Sequence, residues 1–201
     1  MPARVVFLPG AGGDPGFWTP VVQRLPSSLD PVQLGWPGLG REKPRDDVRG
    51  LDDLVRLTLE AIDRPVALVA QSMGGVVALL ATLARPTLVE RLVLVATSGG
   101  VDVQRFGAAD WRPDYRREYP DAAPWISDAR VDLTARLPTI TAPALLVWGR
   151  ADRISPVAVG EHLATLLPHS RLVVIPGGDH GVARDRADLV APHVARHLEL
   201  A

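Results

Sequence analysis

Residues 66–75 place the tightest constraint on the fold, because a serine stands between a short apolar run and a helical pattern. The run Val-Ala-Leu-Val-Ala at residues 66–70 predicts a buried strand, and the residues after Ser72 predict a helix. A strand that turns directly into a helix at a serine is typical of a nucleophile elbow, which strains the serine backbone and projects its hydroxyl from the sheet. Strand and helix nearly touch in such a turn, so the flanking residues must be small. Here they are Ala70 and Gly74, and Gly75 adds clearance.

Short aliphatic runs alternate with longer amphipathic runs along the rest of the chain. Most of the short runs are apolar throughout, which is typical of parallel strands covered on both faces. We predict six strands, at residues 5–8, 32–34, 66–70, 92–96, 144–148 and 172–175. We predict helices between them at residues 18–25, 51–62, 74–85, 156–167 and 187–200. The alternation indicates an α/β fold with a mainly parallel sheet, and 201 residues are a normal length for a single domain.

Charge and composition favour a soluble globular protein. A net charge of −1 gives no reason to expect nucleic acid or an anionic membrane as a partner. No apolar run approaches the ~18 residues needed to span a bilayer, and the N-terminal apolar stretch is too short for a signal peptide. The absence of cysteine is compatible with the reducing cytoplasm, so we expect a cytoplasmic protein. The composition does not specify an oligomeric state.

Residues 98–142, here called the lid segment, interrupt the alternation because no strand is predicted there. The segment holds five of the ten aromatic residues, namely Phe106, Trp111, Tyr115, Tyr119 and Trp125. A stretch of this length inside one domain is usually functional or has structure of its own. We predict a small lid that ends in a helix near residues 128–137. The alternative is a surface excursion whose aromatic side chains only attach it to the body.

An acid and a base for the serine are expected in the loops that follow other strands. A serine needs a base to take its proton, and the base needs an orienting acid. Asp152 follows the apolar run 144–148, and His180 lies in a glycine-rich loop after the last strand. The resulting order, Ser-Asp-His, is the one found with nucleophile elbows. Asp102 is a weaker candidate for the acid, and we interpret Asp179 as a residue that organises its loop.

An acyl-transfer site also needs hydrogen-bond donors for the oxyanion that develops during the reaction. One donor is expected to be the backbone N–H of Met73, which follows the serine. The second is expected from the oxyanion loop, residues 9–14, where glycine lets backbone amides face a ligand. Ala11 is the best candidate in that loop.

Three other patterns have less specific interpretations. The glycines of residues 10–13 do not keep dinucleotide-binding spacing, and the second strand ends without an acid for a ribose. His193 and His197 are four residues apart, as metal ligands can be, but their segment offers no third ligand. Arginines 112, 116 and 117 alternate with acidic residues, which favours a solvated lid surface over a site for an acidic substrate.

In this order, the motifs resemble those of the α/β-hydrolase superfamily, in the branch of small esterases and lactonases. Residues 8–13, followed by Phe17 and Trp18, resemble the oxyanion loop of that family, and residues 35–41 resemble its Asp-x-Pro-Gly-x-Gly segment. Residues 148–152 and 177–180 resemble its acid and base loops. The family pattern commonly has Gly where this chain has Ala70, His where it has Pro9, and Asp where it has Gly35. The last two differences bear on loop packing and substrate fit.

The resemblance implies a three-layer α/β-hydrolase fold with a six-stranded sheet in the order second, first, third, fourth, fifth, sixth. The family commonly has two strands before the oxyanion strand, so we expect an N-terminally shortened sheet with a short lid insert. It also implies a serine esterase that needs no cofactor or metal. Ser72 would be the nucleophile, His180 the base and Asp152 the acid, with Ala11 and Met73 forming the oxyanion hole.

The substrate expected from this resemblance is a small carboxylic ester, with thioesters and lactones as alternatives. We expect Trp18, Trp111 and Trp125 to contact it. A lyase, a cofactor-free perhydrolase or a non-catalytic binding protein on the same fold are the other possibilities, because one fold serves many functions.

Overall fold

A computed structural model describes residues 4–200 and contains one sheet of six parallel strands. The strands are β1 Arg4–Leu8, β2 Pro31–Gln33, β3 Val66–Gln71, β4 Val89–Val95, β5 Ala144–Gly149 and β6 Ser170–Ile175. They lie in the order β2-β1-β3-β4-β5-β6, which confirms the expected order. All five neighbouring pairs are parallel.

The apolar character of the strands follows from their position between two helical layers. Strands β3 and β5 are buried at every residue. Alternate side chains of β3, such as Leu68 and Val69, point to opposite faces and belong to two separate hydrophobic clusters. Since both faces are covered, the central strands carry apolar residues at most positions and not only at alternate ones.

The helices form the two outer layers around the sheet. They are α1 Thr19–Val22, α2 Leu51–Glu60, α3 Met73–Ala84, α4 Arg112–Glu118, α5 Val157–Leu166, α6 Val182–Asp185 and α7 Ala187–His197. Helices α2, α3 and α5 cover one face of the sheet, and α1, α6 and α7 cover the other. In the described part of the chain, every helix is too short or too polar to cross a bilayer.

The sheet order has a crevice between β1 and β3, where the chain changes direction. From β1 the chain moves to one side to form β2, and it then returns to form β3 on the other side of β1. In open α/β sheets, ligands bind at such a point, beyond the carboxyl ends of the strands. The oxyanion loop follows β1 and Ser72 follows β3, so both lie at this edge.

The lid segment contains no strand and only one α-helix, α4. Single turns of 3₁₀ helix occur at Val103–Phe106, Pro124–Ser127 and Leu137–Thr139.

The predicted helix near residues 128–137 is wrong, because the backbone there bonds to other partners. The Leu133 N–H donates to the Gly100 carbonyl at 2.8 Å. The Thr134 N–H donates to the Asp132 carboxylate at 2.9 Å. These bonds compete with a helical ladder, and the buried Leu133 side chain anchors the segment to the body of the protein.

Candidate active site

Ser72 lies between the last residue of β3 and the first residue of α3, in a strained backbone conformation. Its φ angle is 52°, in the left-handed region that side chains rarely adopt. Its N–H donates to the Val95 carbonyl at 2.9 Å, and its carbonyl accepts from the Thr97 hydroxyl at 2.6 Å. Bonds on both sides of the residue hold the strained turn that projects the hydroxyl into the crevice.

The small residues after Ser72 are required by close contacts. A Cβ atom on Gly74 would overlap the Pro9 carbonyl oxygen of the oxyanion loop, and one on Gly75 would overlap the Thr97 hydroxyl. Both of these oxygens are fixed by the surrounding structure and cannot move aside. The start of α3 can therefore approach the neighbouring loops this closely only with glycine at these two positions.

Gly74→Ala is therefore expected to lower the free energy of unfolding by about 3 kcal/mol and to lower activity, since the added methyl pushes α3 away from the oxyanion loop. Chemical denaturation and ester turnover measure the two effects. Gly50→Ala is the matched control, because a Cβ there meets nothing within 4 Å. That change should cost less than about 1 kcal/mol. Equal losses in the two variants would contradict the contact argument.

His180 lies between Ser72 and Asp152 and is within hydrogen-bonding distance of both. Its Nε2 is 3.0 Å from the Ser72 Oγ, and its Nδ1 is 2.9 Å from the Asp152 Oδ2. The imidazole is 23% exposed, whereas the Asp152 carboxylate is fully buried. The structure thus brings together the three residues that the sequence predicts as nucleophile, base and acid.

The Asp152 carboxylate is fixed by its own loop. Its Oδ1 accepts hydrogen bonds from the backbone N–H groups of Ile154 at 2.8 Å and Ser155 at 2.9 Å. One oxygen is therefore held by backbone donors, and the other faces the imidazole. The weaker candidate acid, Asp102, instead caps a 3₁₀ turn through the Gln104 N–H. The Asp179 carboxylate accepts a hydrogen bond from the Gly181 N–H at 2.9 Å, which agrees with the prediction that it organises its loop.

The oxyanion loop forms a tight turn beside Ser72. The Gly13 N–H donates to the Gly10 carbonyl at 3.1 Å, so Ala11 occupies the turn between them. Met73 is the first residue of α3, where backbone N–H groups have no acceptor within the helix. Both Ala11 and Met73 line the cavity that contains Ser72.

Three further residues support this arrangement. The Gln71 side-chain amide donates to the His180 carbonyl at 3.1 Å, and the Thr97 hydroxyl holds the Ser72 carbonyl. The Trp36 indole donates to the Pro9 carbonyl at 2.8 Å and fixes the start of the oxyanion loop. Only their position in the sequence could have indicated this role for Gln71 and Thr97, since both are polar residues that directly follow apolar runs predicted as strands.

Family models match nearly the whole chain. The model described as the alpha/beta hydrolase family matches residues 5–134, and a model described as TAP-like protein matches residues 118–200. The chain belongs to the alpha/beta hydrolase family.

Three relatives illustrate the similarity of this hydrolase to known proteins. Polyketide synthase ThaQ of Burkholderia thailandensis is 28% identical over 98% of this chain, and the chain spans only 12% of that protein. The pimeloyl-acyl-carrier-protein methyl ester esterase of Aliivibrio salmonicida is 23% identical over 97% of this chain and 92% of its own length. A thermophilic esterase from Thermogutta terrifontis has a TM-score of 0.78 at 22% identity, over 98% of this chain and 89% of that one. The second and third of these proteins are named as esterases.

A cavity of about 840 Å³ opens above Ser72 between the sheet edge and the lid segment. Apolar side chains from the body and the lid segment form much of its lining, including Val76, Val101, Phe106, Trp111 and Ile126. Pockets of this size bury most of a small organic ligand. The placement of Trp111 agrees with its predicted role as a substrate contact.

Two of the predicted substrate contacts lie elsewhere. Trp18 is fully buried beneath the opposite face of the sheet, where its indole donates to the Leu8 carbonyl at 2.9 Å and its ring packs against Phe7. Trp125 packs against the core, and the 3₁₀ turn at Pro124–Ser127 presents Ile126 to the cavity in its place. Neither indole lines the cavity, so both are structural residues and the expectation that they contact the substrate is corrected.

The remaining sequence candidates also have structural roles. Arg117 pairs with Asp114 at 2.7 Å on the exposed lid surface. Arg112 pairs with Asp110 at 2.7 Å, but its side chain is only 23% exposed and it lines the cavity. His197 is partly buried in α7, and desolvation lowers its pKa below the usual value. Within residues 4–200, no three His, Asp or Glu side chains are grouped as metal ligands would be.

Proposed function

We propose that this chain is a serine hydrolase that cleaves a carboxylic ester through an acyl-enzyme on Ser72. The observation that carries the proposal is the pair of contacts at 3.0 and 2.9 Å that link the Ser72 hydroxyl, the His180 imidazole and the buried Asp152 carboxylate. A serine activated by a base, with the base oriented by an acid, is the arrangement that acyl transfer requires.

In the first half of the proposed reaction, the Ser72 Oγ attacks the carbonyl carbon of the ester and His180 Nε2 takes the hydroxyl proton. Asp152 stabilises the imidazolium through Nδ1–H. The carbonyl oxygen becomes an oxyanion, which accepts hydrogen bonds from the backbone N–H groups of Ala11 and Met73. The N-terminus of α3 adds favourable positive potential at the same place. Collapse of the intermediate breaks the bond to the alcohol, which leaves with the proton from His180.

In the second half, water replaces the alcohol. His180 takes a proton from the water, whose oxygen attacks the acyl carbon, and the same donors stabilise the second oxyanion. Ser72 leaves with the proton from His180, and the carboxylic acid is released. The exposed fraction of the imidazole gives water access to the base.

The cavity supports an ester with an apolar acyl or alcohol group as the substrate class. Its volume and its lining of aliphatic and aromatic side chains suit such a group. The relative from Aliivibrio salmonicida is named for a methyl ester, which agrees with carboxylic esters as the default. Thioesters and lactones are the alternative substrates for the same chemistry.

Labelling with a fluorophosphonate, measured beside hydrolysis of p-nitrophenyl acetate, tests this proposal. A working serine hydrolase should react covalently at Ser72 and release p-nitrophenol catalytically. A folded protein that neither labels nor turns over would favour a non-catalytic binding protein on the same fold. Labelling without turnover of esters, thioesters or lactones would favour a non-hydrolytic reaction on the same triad.

Activity should fall on acidification, because a protonated imidazole cannot act as a base. His180 accepts the Ser72 proton only when Nε2 is unprotonated, so kcat/KM should fall about tenfold for each further pH unit on the acid side. A pH profile of kcat/KM from 5 to 8 measures this. His169→Gln, at an exposed histidine, is the control and should keep the same profile. A flat profile would contradict His180 as the base.

A further inference from the structure

Tyr115 connects the lid segment directly to the oxyanion loop. It lies on α4, and its hydroxyl donates to the Ala11 carbonyl at 2.8 Å. The same hydroxyl accepts from the Gly40 N–H at 3.0 Å. The residue is 9% exposed, so water has little access to compete for these two backbone groups.

The oxyanion loop depends on contacts of this kind because its own turn has a single closing bond. The oxyanion loop also packs against the loop at residues 35–41. The Trp36 N–H donates to the Gly13 carbonyl at 2.9 Å, and a Cβ on Gly40 would overlap the Gly12 carbonyl. Gly40 also has a φ of +55°, which places its N–H toward the Tyr115 hydroxyl. Tyr115 thus bridges the two loops at the turn that contains Ala11.

We propose that Tyr115 is a positioning residue for the oxyanion hole. Its hydroxyl bridges the Ala11 carbonyl and the Gly40 N–H, which fixes the peptide that follows Ala11 and, through it, the direction of the Ala11 N–H. This inference rests on the proposed function. It gives the lid segment a role in the chemical step in addition to enclosing substrate, because α4 carries the residue that orders the donor loop.

The Tyr115 side chain is suited to this role by its surroundings. Its ring packs edge-on against Trp111, with centroids 5.3 Å apart. It also packs at a tilt against Tyr119, with centroids 5.0 Å apart. The ring is therefore held even without the hydroxyl. Burial raises the pKa of the Tyr115 hydroxyl above its usual value, so the hydroxyl keeps the proton that it donates to Ala11 at neutral and mildly alkaline pH.

Tyr115→Phe removes the bridge and leaves the ring in place. An oxyanion donor interacts most strongly with the transition state, so its misplacement lowers kcat more than it changes KM. We expect kcat for p-nitrophenyl acetate to fall about tenfold, with KM changed by less than about twofold. The rate constant for fluorophosphonate labelling should fall with kcat, because phosphonylation uses the same donors.

The matched control is Thr58→Val, which removes another buried hydroxyl, one that donates to the Leu54 carbonyl at 2.9 Å in α2. It should lower Tm by a similar amount and leave kcat unchanged. The proposal is overturned if Tyr115→Phe keeps the wild-type kcat and labelling rate, or if only its KM or Tm changes. An inactive, unlabelled wild type would instead contradict the proposed function and, with it, this role of Tyr115. A kcat and labelling defect in Tyr115→Phe beside an active wild type supports both.

Discussion

Replacing Ser72 with alanine is expected to lower ester turnover by at least about 10⁴-fold and to abolish fluorophosphonate labelling. The Ser72 Oγ is the atom that lies 3.0 Å from the His180 Nε2, so no acyl-enzyme forms without it. The substitution should not unfold the protein. Turnover of p-nitrophenyl acetate and intact-mass detection of the label measure the two effects on one sample.

Alanine at residue 72 keeps a Cβ at the strained φ of 52°, so the elbow carries the same backbone cost in both proteins. The control is Ser170→Ala, which removes a hydroxyl that donates to the Leu167 carbonyl at 2.8 Å, at the start of β6. That variant should label and turn over as wild type does. Labelling that persists in Ser72→Ala would show that another residue reacts, and the assignment of the nucleophile would be wrong.

The sequence was sufficient to predict the sheet because each strand is specified by its own residues. Residues 66–70 of β3 and all of β5 are apolar, a pattern that is typical of strands covered on both faces. The residues predicted for the triad also come together, since each follows a strand and the carboxyl ends of parallel strands meet at one edge. Strands and the loop residues that follow them could thus be predicted, because each depends on residues that are close together in the sequence.

The predictions that were wrong concern a side chain or a segment whose environment is set by distant parts of the chain. Trp18 was expected to contact the substrate, yet the chain turns at Pro15–Trp18 and carries the indole under the sheet. The predicted helix near residues 128–137 fails because Leu133 bonds to Gly100, thirty-three positions earlier in the chain. Such pairings depend on the completed fold, and no pattern within the segment reports them.

The residues that support the site were missed for the same reason. Gln71 acts on the carbonyl of His180, and Tyr115 acts on the carbonyl of Ala11, across more than a hundred positions of sequence in each pair. A tyrosine in a lid segment indicates packing in general. Its role in holding the oxyanion loop is visible only once α4 is placed above that loop.

The Asp152→Asn variant has a definite expected geometry because the two carboxylate oxygens have different partners. The backbone N–H groups of Ile154 and Ser155 both donate to Oδ1. In asparagine they would select the amide oxygen, since the NH₂ group cannot accept a hydrogen bond. The NH₂ group must then face the Nδ1 of His180, where Oδ2 lies at 2.9 Å in the wild type.

This orientation should lower kcat by about 10⁴-fold while preserving the fold. An amide that donates to Nδ1 stabilises the tautomer with its proton on Nε2, and that nitrogen then cannot accept the proton of Ser72. The imidazolium also loses its buried negative partner. Turnover with p-nitrophenyl acetate and Tm by thermal unfolding measure the two quantities. Asp179→Asn, at the neighbouring carboxylate that accepts only from the Gly181 N–H, is the control and should keep most of the activity. If Asp179→Asn were inactive and Asp152→Asn active, the roles of the two carboxylates would be exchanged.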